Sequence, residues 1–389
     1  MVIRIFLAAV FLFSGFTKAI DPVASAIKFD EYFISFGMGF FHPISMFLAV
    51  VMNIVEFTLG FMLLFKIKVN LTSIGYLIFM VFFFFLTLWL ALAEHLEVNY
   101  GYDFGVVKDC GCFGQAIEMS NLETFLKNVV LLGASLVVFL KRKMIPDIKL
   151  TELGKWTFAA VGALLIALVQ VYCYRHLPII DFSDWKKGND VADIFIEQPA
   201  RKDIVFIYRN KRDSSVVNLS MDELMGITDK HPDFYDQYEY IDRKDSIVTE
   251  MKIPRIAGFN MIDSMGADHS SELINPHNNT RLFLLFMPDL DEVNRKGLQS
   301  ERLLSIVAGA EAAGENFVAV TNSPQYEVDV FVRTNAIPYP VYTNPIDPVK
   351  GPFMVRDAIR SNPGLIMIDR GIVTGKWGWR DIPEYARIP

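Results

Sequence analysis

Five long apolar runs interrupt the first half of the chain: Val2 to Ile20, Met46 to Phe65, Leu71 to Ala93, Leu122 to Leu140, and Trp156 to Tyr174. A helix needs about 20 such residues to cross a bilayer. Backbone in lipid must satisfy its own hydrogen bonds, so the pattern predicts a membrane α-helical bundle. The first run ends in "SGFTKAIDP" without a small-residue cleavage site, and reads as a retained span rather than a leader. Basic residues concentrate in alternate loops. Lys66 and Lys68 follow the second run, and Lys141, Arg142, Lys143, Lys149 and Lys155 follow the fourth. With Arg4 on the same side, these loops and the N-terminus are expected to be cytoplasmic. Asp21 to Ser45, Glu94 to Asn121 and everything after Arg175 then lie on the non-cytoplasmic side of the membrane.

Beyond the fifth run the pattern becomes that of a soluble domain. "PIIDFSDWKKGND" is a polar linker, "DIVFIYRN" a strand, and "NLSMDELMGI" a short helix with Ser220 at its N-cap. From Pro254 onward, continuous apolar strands alternate with helices: "TRLFLLFMPD", "NRKGLQSERLLSIVAGAEAAG", "NFVAVTNSP", "NAIPYPVYT" and "MVRDAIRSNP". The hairpin "GLIMIDRGIVTGKW" closes the series. The expected organisation is a four-helix membrane module (1–145), a fifth span and linker (146–180), a small α+β region (181–253) and an α/β domain (254–389).

Composition narrows the function. The chain is 52% hydrophobic with net charge −7 and no basic patch, which disfavours a nucleic-acid partner and makes the lipid bilayer the first partner expected. Three cysteines are too few for a disulfide scaffold, and no Cys/His pattern has zinc-ligand spacing, so no metal is expected.

The cysteines are nevertheless placed suggestively. Cys110 and Cys112 sit in "KDCGCFG", on the predicted oxidising side, and Cys173 lies near the outer end of the last span. Cysteines one residue apart can close a small strained disulfide, whose strain raises its reduction potential, and Gly111 supplies the backbone freedom. Cys173 could act as the resolving thiol. Equally, the cysteines could fill space or form one inert bridge. Lys108 and His95 are the activating groups visible near the pair. Glu56, mid-span in "MNIVEFTLGF", is either a functional carboxylate or a packing contact, neutral or paired with Lys18. Arg4 is expected to snorkel to the headgroups.

"RIFLAAVFLFSGFTKAIDP", "VEFTLGFMLLF", "DCGCFG" and "NLETFLKNVVLL" resemble DoxX/MauE-like membrane proteins over about the first 140 residues. The type with a long outer extension is similar to proteins of Bacteroidota. The resemblance implies a redox-associated function, either disulfide formation in a periplasmic partner or quinone-coupled chemistry, with Cys110 and Cys112 at the matching position. The region from Pro254 to Trp377 resembles a thioredoxin-like domain. It departs from that pattern where the Cys-x-x-Cys should stand, since Asp289 to Glu292 hold no cysteine, and thiol exchange from this domain is not expected. Pro363 occupies the position of the thioredoxin cis-proline. Three functions follow. One is an oxidoreductase component in which Cys110 and Cys112 relay electrons between a membrane carrier, such as a quinone, and an extracytoplasmic partner. Another is a non-enzymatic subunit of a membrane complex whose outer domain binds envelope proteins. A transporter is the weakest, because the spans show no repeat of broken helices.

Overall fold

The computed structural model describes residues 1–102, 107, 110–117, 119–195, 201–249, 256, 258–345 and 354–388. Lys108 and Pro254 lie outside the described residues. In chain order, α1 (Val2–Ala19) is followed by α2 (Pro22–Ser35), α3 (Ser45–Leu64), α4 (Val69–Tyr100), α5 (Asn121–Lys141) and α6 (Glu152–Arg175). Five helical runs are long and apolar enough to cross a membrane: α1, α4, Gly39–Leu64 containing α3, Asn121–Met144 containing α5, and α6. They correspond to the five runs in the sequence.

α2 was not anticipated, because hydropathy treats Asp21 to Ser45 as a connecting loop. Its start signal is local. The Asp21 side chain accepts a hydrogen bond from the Ala24 amide at 2.9 Å, and Pro22 occupies the first turn, where its missing N–H costs nothing. The helix buries Ala24, Ala26, Ile27 and Asp30.

α1 and α3 cross closely at two glycines. A Cβ on Gly15 would lie 2.7 Å from the Phe57 amide nitrogen, and one on Gly60 would lie 2.8 Å from that of Leu12. Small residues at such crossings let backbones approach and gain packing that lipid cannot supply. Arg4 does not simply snorkel. Its guanidinium donates to the Leu63 and Leu64 carbonyls, capping the C-terminal end of α3. The short strand β1 (Cys112–Gln115) lies in the loop between α4 and α5.

The chain divides into two compact units, residues 1–189 with 260–389, and residues 190–259. The smaller unit holds an antiparallel sheet of β2 (Arg201–Asn210), β3 (Val216–Ser220) and β4 (Tyr238–Thr249), in the order β3-β2-β4. Ser220 caps the helix Met221–Lys230 in a reciprocal box with Glu223. Tyr208, Leu224 and Phe234 form its core.

The C-terminal part of the larger unit is a five-stranded mixed sheet. Its strands are β5 (Leu282–Phe286), β6 (Asn316–Thr321), β7 (Val341–Thr343), β8 (Gly364–Asp369) and β9 (Ile372–Gly378), in the order β7-β6-β5-β8-β9. β5, β6 and β7 run parallel, while β8 is antiparallel to β5 and β9 to β8. β5 is buried along its whole length, which is why it reads as an unbroken apolar run. Arg370 and Gly371, at φ +47 and +81, make the tight turn between β8 and β9. The Asn362–Pro363 bond just before β8 is cis. The helix expected over "NRKGLQSERLLSIVAGAEAAG" is two helices, Arg295–Leu298 and Glu301–Ala313, because Ser300 caps a fresh start. The carboxylates 289–292 therefore precede the helices instead of starting one: Asp289 accepts from the amides of Asp291 and Glu292, and Asn294 is the first N-cap.

Residues near α6 and the sheet are held together by polar contacts. His176 lies 2.9 Å from Asp381, and Lys376 donates to Asp181 at 2.6 Å and to Ser183. The segment read as a polar linker is tied to the last strand, with the Gly188 amide donating to the Val373 carbonyl at 2.8 Å.

Candidate functional site

Cys110 and Cys112 lie at the end of the bundle where α1 and α6 terminate and α5 begins. Both are free thiols, and their sulfurs are 3.1 Å apart. The loop that presents them is fixed from several sides. Gly111 and Gly114 take left-handed conformations (φ +64 and +58), and the Gly114 amide donates to the Gly111 carbonyl at 3.0 Å. The Ser14 hydroxyl of α1 donates to the Cys112 carbonyl, and the Tyr32 hydroxyl of α2 to the Cys110 carbonyl at 3.3 Å. Ser120 and Glu123 form a capping box that starts α5, and Asn121 donates to the Val107 carbonyl at 3.0 Å.

The two sulfurs have different surroundings. Cys110 is buried in an apolar cluster with Phe83, Leu90 and Val107, edged by Tyr32, Met52, Phe79 and Leu86. Cys112 is half-buried and lines a cavity of about 30 Å³ with Ser14, Lys18, Glu56, Lys127, Asn128 and the rings of Phe79, Phe83 and Phe113. The Lys127 ammonium also lies 4.4 Å from the centre of the Phe113 ring.

This asymmetry separates the acidities of the pair. The hydrogen bond with Cys110 lowers the Cys112 thiol to about 6; Lys127 and Lys18 act in the same direction and burial opposes them. Cys110 is pushed well above the ordinary thiol range by its hydrogen bond with Cys112 and by burial. The surroundings thus favour Cys112 as the more acidic thiol of the pair and Cys110 as the less acidic one.

Glu56 is paired. The Lys18 ammonium contacts its carboxylate, and both side chains are buried between α1 and α3. The two glycine contacts explain the pairing: Lys18 is one turn from Gly15 and Glu56 one turn from Gly60, so the crossing that brings the backbones together also brings the charges together. Asn53, one turn before Glu56, donates to the Lys18 carbonyl at 3.2 Å and to Gln170 of α6 at 3.2 Å.

Other expected participants fall elsewhere. His95 is exposed on α4 and contacts Asn99 one turn along its own helix. Cys173 is buried in α6 beside Asp21 and the Ile179 backbone, outside the cluster that contains Cys110 and Cys112. Lys127 is the residue that hydropathy hid. It sits two turns into "NLETFLKNVVLL", and the only signal was a lone cation within an apolar run.

A quinone does not fit the cavity beside Cys112. An engineered cavity of about 150 Å³ takes a benzene ring, and about 10–15 Å³ takes one water. A space of about 30 Å³ suits water, despite the aromatic and hydrogen-bonding groups around it. Among the described residues, no cluster of His, Cys, Asp and Glu could hold a metal ion.

No curated protein and no solved structure matches the chain. The family model described as Methylamine utilisation protein MauE matches residues 1–141, which contain the thiol pair, Lys18, Glu56 and Lys127. Over that stretch, with its membrane-crossing helices, the chain is similar to MauE proteins of the membrane.

Proposed function

We propose that the protein is a membrane-embedded thiol–disulfide exchange component in which Cys110 and Cys112 are the reacting pair. The supporting observation is the placement of two sulfurs 3.1 Å apart, with Lys18 and Lys127 beside Cys112. The exchange balances without a further cofactor. The Cys112 thiolate attacks a partner disulfide, forming one S–S bond and expelling one partner thiolate. Cys110 then attacks the mixed bridge, closing Cys110–Cys112 and releasing the second partner thiol. In reverse, the closed pair accepts two electrons from a partner dithiol. Cys173 has no part in this reading.

Sidedness belongs to the same proposal. Arg4, Lys66, Lys68, Lys141, Arg142 and Lys143 gather at the opposite end of the bundle from the thiols, and this charge asymmetry supports reading the thiols as periplasmic, in an inner membrane. The sheet region is read as thioredoxin-like because β6-β5-β8-β9, two parallel strands continued by an antiparallel hairpin, is the strand arrangement of that fold. It would dock the partner. The partner's own chemistry, including any link to methylamine utilisation, is carried by the family name alone. A non-enzymatic anchoring role is the second reading, and it is favoured by the lack of any cysteine after Cys173.

The test is thiol trapping in intact cells with a membrane-impermeant maleimide, before and after reduction, in wild type and in Cys110→Ser, Cys112→Ser and Cys173→Ser. The exchange reading expects labelling of Cys112 that increases after reduction and is lost in Cys112→Ser. Thiols that stay fully reduced under every condition, with envelope phenotypes unaffected by serine, would leave the anchoring role.

A further inference from the structure

The groups facing Cys112 form a charge cluster with a definite balance. α1 contributes Lys18, α3 Glu56 and α5 Lys127, all lining the same small cavity as the Cys112 side chain. On α2, Lys28 packs against Gly111 but is paired with Glu31 at 2.8 Å, and Tyr32 contacts the Cys110 carbonyl. On α4, Tyr76 faces Glu56 and donates to the Leu7 carbonyl at 3.4 Å. Among the described residues, two cations therefore face one carboxylate and one thiol. With Cys112 ionised the four charges cancel; with Cys112 in a disulfide one positive charge is left over. In a poorly hydrated site an uncompensated charge is expensive, so the balance favours the reduced pair.

We propose that Glu56, through Lys18, is a positioning residue that sets the redox equilibrium of Cys110 and Cys112, and that the cluster makes their disulfide an oxidant of a protein dithiol. The proposal rests on the exchange reading above and adds its direction. A reduced form stabilised by its surroundings is what makes a disulfide strongly oxidising. Glu56 moderates that effect by sharing Lys18 with the thiolate. Removing Glu56 leaves two cations for one thiolate and favours the dithiol further. Removing Lys127 leaves the thiolate short of a counter-charge and favours the disulfide.

The experiment equilibrates full-length protein in lipid nanodiscs with glutathione buffers of graded ratio and reads the oxidised fraction of the Cys110–Cys112 peptide by mass spectrometry after alkylation. Glu56→Gln should shift the equilibrium toward the dithiol and Lys127→Met toward the disulfide, each by about fivefold or more. Lys18→Met with Glu56→Gln removes one charge of each sign and should return the value to within about twofold of wild type. Loss of one buried partner can unfold the bundle, so Lys127→Met, at a half-buried position, carries the sign test on its own. Shifts in the same direction for Glu56→Gln and Lys127→Met, or no shift for folded Lys127→Met, overturn the proposal while leaving exchange itself intact. A wild-type protein that forms no Cys110–Cys112 bridge at any ratio overturns the exchange reading instead.

Discussion

The Arg360 guanidinium, three residues before the cis-proline, lies 3.0 Å from the carboxylate of Asp21, which caps α2. The pair spans 339 residues of sequence and is nearly inaccessible, with 4% of the Arg360 side chain exposed. Asp357 is a further partner at 3.2 Å. Through this contact the element leading into β8 is joined to the end of the bundle that carries the thiols.

Breaking it should be costly. Removing one member of a buried pair strands the other, typically at about 3–5 kcal/mol. Arg360→Met is expected to lower the unfolding free energy by that order in detergent, read from a denaturant titration of the full chain. A midpoint equal to wild type would show that the contact holds nothing together.

The glycine crossing makes a second prediction. Alanine at Gly15 would press on the Phe57 backbone, whereas a Cβ on Gly133 meets nothing within 4 Å. Overpacking of this kind costs about 1–3 kcal/mol. Gly15→Ala should therefore destabilise the bundle and move Lys18 away from Glu56, while Gly133→Ala should be silent. Equal melting of the two variants would contradict the close approach of α1 and α3.

Acidity supplies a third. The rate of Cys112 alkylation should rise with pH around a midpoint of about 6, not around the ordinary thiol value of about 8.5. The sign for stability follows: because the folded value is depressed, the ionised thiol stabilises the fold above about 8.5 and that contribution is lost as pH falls through about 6. Lys127→Met should raise the alkylation midpoint by about one unit or more, and Lys127→Arg should largely restore it. A midpoint above 8 in the wild type would remove the basis for calling Cys112 the nucleophile.

What the sequence made legible follows from which forces are local. The spans emerge from hydropathy because lipid demands continuous apolar length, and the Lys18–Glu56 pairing could be weighed because each residue is an isolated charge inside a span. The alternation of β5, β6 and β8 with helices was equally plain. α2 was not, since an amphipathic helix lying between spans looks like a polar loop unless Asp21-Pro22 is read as a start. Lys127 was missed for a different reason: it is fifteen residues from Cys112 in sequence, and only the packing of α5 beside the loop brings the two together. Cys173 looked like a third thiol at the same membrane face, but end-of-span position says nothing about which side of a helix a residue occupies. It points to the Asp21 junction instead.

The central claim is that Cys110 and Cys112 interconvert between dithiol and disulfide. It is tested most directly by intact and peptide mass spectrometry of the purified full-length protein after exposure to oxidised glutathione and then to a dithiol reductant. A reversible loss of two hydrogen atoms, mapped to a bridge between Cys110 and Cys112 with Cys173 still alkylatable, is the predicted result. A pair that remains reduced, or a bridge that forms to Cys173, would contradict it.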